Sequence, residues 1–177
     1  SVERHTAQEE LIMTLEVLLA KSSFVVGSLW KLRINIDGFK NEHSEELVTQ
    51  ASIGRAFQLL DYVENPQIIY RVKVRLLEDD YICWFEFSEL VHNATKIETW
   101  DSELFSQEKI MTKIPDILAW ASAAKEISNK YLWGGTIGPD FDCSGLIQSS
   151  FSSSGIWIPR DAYQQEKFCR NIALDIK

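Results

Sequence analysis

Tyr131 to Phe151 reads Y-L-W-G-G-T-I-G-P-D-F-D-C-S-G-L-I-Q-S-S-F. An aromatic strand runs into Gly134 and Gly135, then into a turn at Gly138-Pro139. Cys143 follows between Asp142 and Ser144, where an apolar helical pattern begins. Leu146, Ile147, Ser150 and Phe151 keep helical spacing after it, and Gly155 is placed to end the helix. A thiol at a helix start sits on the positive end of the helix dipole, which favours the nucleophilic thiolate. A cysteine in a globular chain is commonly a small buried hydrophobe. The polar neighbours Asp142 and Ser144, and glycines that allow close approach of a backbone or ligand, point instead to chemistry.

The spacing Y-L-W-G-G, a short spacer, then D-C-S-G-L resembles the signature of the NlpC/p60 family of bacterial cell-wall cysteine peptidases. The run I-P-R-D-A-Y-Q-Q from Ile158 to Gln165 is similar to that family's next block, and E-D-D-Y from Glu78 to Tyr81 resembles its cyanobacterial-type two-domain members. The likeness covers about residues 29–168. It implies an α+β chain in which a small N-terminal β-barrel, bacterial Src-homology-3-like, precedes a papain-like NlpC/p60 cysteine peptidase domain. The expected division is a helical extension over 1–28, the barrel over 29–91, a linker over 92–106 and the N-terminal part of the peptidase domain over 107–177.

Length and charge agree with that plan. The 177 residues can hold one medium domain or two small ones, and 45% apolar with 11% aromatic residues suffices for real cores. A net charge of −8 argues against nucleic acid or an anionic membrane surface as partner. No run of apolar residues is long enough to span a bilayer. Three widely spaced cysteines make no disulfide framework, so Cys83 and Cys169 are read as buried or incidental thiols and the cytoplasm as the compartment. Neither metal-ligand spacing nor a phosphate loop is visible, and no cofactor is expected.

Upstream, residues 7–20 read as an amphipathic helix with Thr6 and Glu9 as a capping box, packed on the next domain through Leu11, Leu15, Leu18 and Leu19. From Leu29 to about Leu90 short strands alternate with turn signals, which fits a small barrel. Asp37-Gly38 is read as a hairpin turn, and Glu78-Asp79-Asp80 as an acidic turn between two strands. Ser106 caps a helix to about Lys130 whose buried stripe is Ile110, Ile114, Ile117, Leu118 and Ala121, with a kink or break at Pro115. Asp161 caps a short helix from Ala162 to about Cys169, and the last residues approach a strand.

A thiolate nucleophile needs a general base, usually histidine. His5, His43 and His92 all precede Cys143, and none matches the position the family uses. The resemblance places that base after Lys177, so the chain is expected to be C-terminally truncated and inactive by itself. It also implies the substrate, the cell-wall stem peptide cut between γ-D-glutamate and the diamino acid, with a free amino-terminal L-alanine. Cys143 is the expected nucleophile. Asp142 is the candidate for the substrate ammonium, with Ser144, Tyr81 and Tyr131 beside it and Glu78 and Asp79 as weaker candidates near Tyr81. Tyr131 reads equally well as an aromatic packed under the sheet. Two other readings compete: a module that only binds peptide or glycan, and a Cys-His amidase or acyltransferase acting on a different amide.

Overall fold

The computed structural model describes residues 6–12, 15, 22–62 and 71–170. Residues 71–76 show how the sheet is built: Val72, Val74 and Leu76 point inward and are buried, while Lys73 and Arg75 alternate toward the other face. Among the described residues seven strands join in one sheet: β1 (Leu29–Leu32), β2 (Ile36–Phe39), β3 (Leu47–Ala51), β4 (Ala56–Tyr62), β5 (Arg71–Leu76), β6 (Ile82–Glu86) and β7 (Ala94–Ile97). Their order is β3-β2-β6-β5-β4-β1-β7, and every pairing is antiparallel. A one-turn helix α1 (Phe87–Leu90) follows β6 and turns Phe87 and Leu90 into the core.

The expected barrel does not close. Among the described residues its two ends, β3 and β7, pair with β2 and β1 alone. The outer edge of β1 is taken by β7, inside the stretch read as linker. On β3 the Gln50 carbonyl accepts a hydrogen bond of 2.5 Å from the Thr136 hydroxyl instead of meeting another strand. The apolar side of the sheet gathers Trp30, Leu32, Phe57, Leu59, Val74, Phe85 and Phe87 into one buried cluster, with Phe24 stacked on Trp30.

Asp37-Gly38 lies within β2 rather than in a turn. The chain reverses later, between Phe39 and Leu47, where β2 pairs antiparallel with β3. Gly38 is there for space: a Cβ on it would stand 2.9 Å from both Cys83 Sγ and Thr49 Cγ2. Gly54, at φ +91°, is the turn glycine between β3 and β4.

The second half is helical: α2 (Gln107–Glu126), α3 (Cys143–Ser152) and α4 (Ala162–Phe168). Ser106 caps α2 by accepting from Lys109 N–H at 3.2 Å. Pro115 does not split α2, which runs as one helix and ends at Glu126, short of Lys130. Ile117 is buried and Ile110 and Ile114 pack beside it, but Leu118 is exposed. The 110–114–117 spacing fills one stripe, and the next residue turns about 100° away from it. The partners of that stripe are Ile156, Ile158 and Phe151, so α2 lies on α3 and the segment after it.

Tyr131 likewise belongs to no strand. It forms a single parallel bridge with Phe141, whose ring meets Trp120 of α2 edge-on. Residues 6–12 are helical, with Leu11 and Leu15 exposed rather than packed; Leu18, Leu19 and the strand expected after Cys169 lie outside the described residues. No helix among the described residues is long and apolar enough to cross a membrane.

Candidate active site

Cys143 opens α3 and is exposed, whereas its flanking residues Asp142 and Ser144 are buried. Asp142 is the N-cap: its Oδ1 accepts from Gly145 N–H at 2.7 Å, fixing the first turn. Its Oδ2 accepts from Gly134 N–H at 2.8 Å, which ties the turn before the helix to the helix start. The glycines are steric requirements. A Cβ on Gly145 would lie 2.0 Å from the Gly135 carbonyl oxygen, and one on Gly134, which also has φ +80°, 2.5 Å from the Leu47 carbonyl oxygen. The close approach anticipated from the glycines is therefore an approach of backbone to backbone.

Arg160 completes the frame. Its guanidinium is 1% exposed and donates to Asp142 Oδ2 at 2.8 Å, Asp142 Oδ1 at 3.2 Å, Ser144 Oγ at 2.9 Å and Thr49 Oγ1 on β3 at 3.2 Å. Burial alone would raise the Asp142 pKa. The Arg160 hydrogen bonds and charge and the Gly145 and Gly134 N–H groups outweigh it and hold the carboxyl below the usual aspartate range. Asp142 is thus an ionised residue whose two oxygens already serve five donors. Gln165 on α4 adds a further tie, donating to the Ser144 carbonyl at 3.0 Å and the Pro159 carbonyl at 2.9 Å.

Two grooves open on the thiol. The first, of about 460 Å³, is lined by Tyr81, Tyr131, Trp133, Asp142, Cys143 and Ser144, together with Val48, Asp161 and Tyr163. The five main candidates from the sequence therefore share one groove, Cys143, Asp142, Ser144, Tyr81 and Tyr131, whereas the weaker candidates Glu78 and Asp79 do not line it. Tyr131 is 66% exposed on its wall, not packed beneath a sheet. The second groove runs along α3 and α4 past Ile147, Phe151, Gln165, Glu166 and Cys169. Of the two thiols read as buried or incidental, Cys169 is exposed and Cys83 is buried on β6, where burial pushes its pKa far up, so it is an inert thiol.

Asp161 was read only as a helix cap, and the groove gives it a second place. It serves α4 in a capping box with Gln164, and its carboxylate accepts a hydrogen bond from the Tyr81 hydroxyl. Burial, with the Asp142 and Asp79 charges, raises its pKa against the opposing pull of Arg160 and Tyr81. Burial foremost, and the Asp161 charge, likewise push the Tyr81 pKa up, so its hydroxyl stays protonated. An acid beside Arg160 was visible in the sequence, but only the fold turns it toward Tyr81, eighty residues earlier. Trp133 and Tyr163 were missed because nothing in their spacing marks them as groove walls.

No histidine lines either groove among the described residues, and no cluster of three or more His, Cys, Asp or Glu among them could hold a metal ion. The arrangement offers an accessible sulfur at a helix N-terminus, whose first N–H groups have no partner within the helix. Beside it lie one ionised carboxylate locked in structure and a second that faces the groove.

Residues 128–175 match the NlpC/P60 family, and residues 40–90 match the bacterial dipeptidyl-peptidase SH3 domain. The chain is 31% identical over 112 residues to a γ-D-glutamyl-L-lysine dipeptidyl-peptidase of Bacillus cereus, covering 62% of this chain and 32% of that protein. It is 51% identical over 45 residues to the protein of the same name from Bacillus subtilis, covering 25% and 15%. A solved NlpC/P60 family protein from Bacillus cereus aligns over 88% of this chain and 45% of that one, at 20% identity and a TM-score of 0.30. The chain spans at most about a third of the length of these curated relatives. It carries an NlpC/P60 domain together with a bacterial SH3 domain, and is homologous to γ-D-glutamyl-L-lysine dipeptidyl-peptidases.

Proposed function

We propose that this chain is the core of a cysteine peptidase that hydrolyses the bond between γ-D-glutamate and the diamino acid in cell-wall stem peptides. The observation that carries the reading is the single groove in which Cys143, Asp142, Ser144, Tyr81 and Tyr131 meet. The similar proteins named γ-D-glutamyl-L-lysine dipeptidyl-peptidases support the bond type. Within this reading the division follows the cyanobacterial-type enzymes, with a Src-homology-3-like unit that reaches from Phe24 in its core to β7 at Ala94–Ile97, a linker after it and a papain-like peptidase domain from 107.

The Cys143 thiolate attacks the γ-carbonyl carbon, and the oxyanion that forms is met by the Cys143 backbone N–H. The C–N bond breaks, the amine departs with a proton from the conjugate acid of the base, and a thioester remains. Water, deprotonated by the same base, releases the γ-glutamyl acid and restores the thiol. Neither groove on Cys143 offers a histidine among the described residues, so the base we assign is a histidine outside them.

A substrate ammonium needs a carboxylate with an oxygen to spare. Asp142 has spent both oxygens on internal donors, so within this reading Asp161, with the Tyr81 hydroxyl, receives the free amino terminus of L-alanine. Asp142 and Ser144 then shape the groove floor, and Tyr131 its wall. A site that demands a free amine acts on released peptides, which suits recycling of wall fragments in the cytoplasm.

The test uses L-alanyl-γ-D-glutamyl-L-lysine with two polypeptides, this chain and the translation of its reading frame continued past Lys177. Cleavage by the longer polypeptide, abolished by Cys143→Ala and absent from this chain, is expected. Cleavage that survives Cys143→Ala overturns the reading, and binding without cleavage by either polypeptide shifts it to a peptide-binding module.

A further inference from the structure

Asp79 lies in the turn between β5 and β6, and its side chain is fully buried, at 0% exposure. One carboxylate there holds three groups from three places. Oδ1 accepts from Arg55 Nη2 at 2.9 Å and from the Tyr81 backbone N–H at 3.2 Å. Oδ2 accepts from Gln148 Nε2 at 2.8 Å. Gln148 lies on α3, five residues after Cys143, and is itself buried; its amide also donates to the Ile158 carbonyl at 3.0 Å. Arg55 is pinned in turn by Glu78 at 2.7 Å and lies 4.3 Å over the Trp157 ring. The helix that carries the thiol and the turn that carries Tyr81 therefore meet on one carboxylate.

We infer that Asp79, through Gln148, is a positioning residue that sets the distance between the Tyr81–Asp161 pair and the Cys143 thiol, and thereby the selection of substrates by their free amino terminus. This rests on the reading of the Tyr81–Asp161 pair as the ammonium receptor. Asp79 touches no substrate. Tyr81 reaches the groove from the sheet, while Asp161 and Cys143 belong to the helical half. A γ-glutamyl dipeptide has a limited reach between its amine and its γ-carbonyl carbon. The two ends of the site fit it only if sheet and α3 keep one separation, and the buried Asp79–Gln148 contact is a direct hydrogen bond from the Tyr81 turn to α3. Buried, charge-assisted hydrogen bonds hold such a separation more tightly than surface contacts do.

The experiment measures binding of L-alanyl-γ-D-glutamate and of its N-acetyl form to the protein and to Gln148→Met and Asp79→Ala, with the rate of Cys143 alkylation by iodoacetamide beside it. Gln148→Met keeps volume and leaves the Asp79–Arg55 pair in place, so it stays informative where Asp79→Ala fails to fold. The unaltered protein is expected to prefer the free amine by about tenfold or more. Gln148→Met should cut that preference by about fivefold, with thiol alkylation within about twofold of the starting rate. An unaltered preference in Gln148→Met overturns the inference. So does an equal fall in both affinities and in alkylation, which marks a general loosening, and so does a parent protein indifferent to acetylation. Amine-selective binding lost in Gln148→Met, in a protein whose longer form cleaves no γ-glutamyl bond, upholds the positioning role and sinks the peptidase reading instead.

Discussion

The sheet half and the helical half of this molecule are held together by different forces. The sheet encloses a continuous apolar cluster running from Phe24 and Trp30 through Phe57 and Phe85 to Leu90. Among its described residues the helical half buries Ile117, Ile156 and Ile158 as an apolar cluster, while Asp142, Ser144, Gln148, Ser150 and Arg160 are buried polar ones. Much of what fixes that half is addressed to the sheet: Arg160 to Thr49, Gln148 to Asp79, and the Thr136 and Ile137 N–H groups to Gln50 Oε1. Apolar burial is strong but indifferent to direction, whereas hydrogen bonds weaken steeply when misaligned. The thiol is placed by the directional force, on a template supplied by the other.

The contrast is open to attack at its strongest point first. Phe57→Ala empties a fully buried aromatic site in the sheet and should cost about 4 kcal/mol in urea unfolding. Because the helical half leans on the sheet, both halves should lose stability in one transition; two separate transitions would break the picture of template and dependent. Arg160→Ala strips the buried Asp142 of its cation and should cost about 3 kcal/mol. It should also change the alkylation rate of Cys143, which Phe57→Ala leaves alone below the unfolding transition.

A pH titration sharpens the same point. The Asp142 pKa is depressed in the folded state, so its contribution is fully present above the ordinary aspartate value near 3.9 and is lost as pH falls through the lower folded value. Asp161 has the opposite sign: its pKa is raised, so its ionisation costs stability as pH rises past the ordinary value, and free-amine binding should fade at a higher pH than an ordinary aspartate would dictate. Removing Arg160 should therefore move the acid-unfolding midpoint upward in pH, followed by circular dichroism. The smallest effect belongs to Gln50→Ala, which removes the acceptor of the Thr136 and Ile137 N–H groups at a half-buried site and should cost about 1 kcal/mol.

Much of the site was legible in the sequence because its residues lie close together along the chain. Asp142, Cys143 and Ser144 are consecutive, and their cap geometry follows from local rules. Tyr81 and Tyr131 came from the family resemblance, and the fold brings both to the groove. The roles of Asp161 and Gln148 were not legible, since each depends on a partner about seventy or eighty residues away. In the sheet, period-two alternation marked the strands, but it carries no information on closure, and the open order was set by what covers β1 and β3. Gly38 misled for a related reason: Asp-Gly reads as a turn locally, yet the glycine answers to Cys83 and Thr49 on neighbouring strands. Leu118 was placed in a stripe too wide for the narrow apolar contact that α2 makes.

The hydrogen bond from the Thr136 hydroxyl to the Gln50 carbonyl also bears on solubility. β3 ends the sheet, and an uncovered end strand is a template on which foreign strands add, the first step toward aggregation. The segment that leads to the thiol lies over that strand, with Gly134 too close to Leu47 for any larger residue. Chaperone demand during synthesis should therefore depend on the order in which the chain leaves the ribosome. β3 is made long before its cover, and stays bare until residues 134–137 emerge.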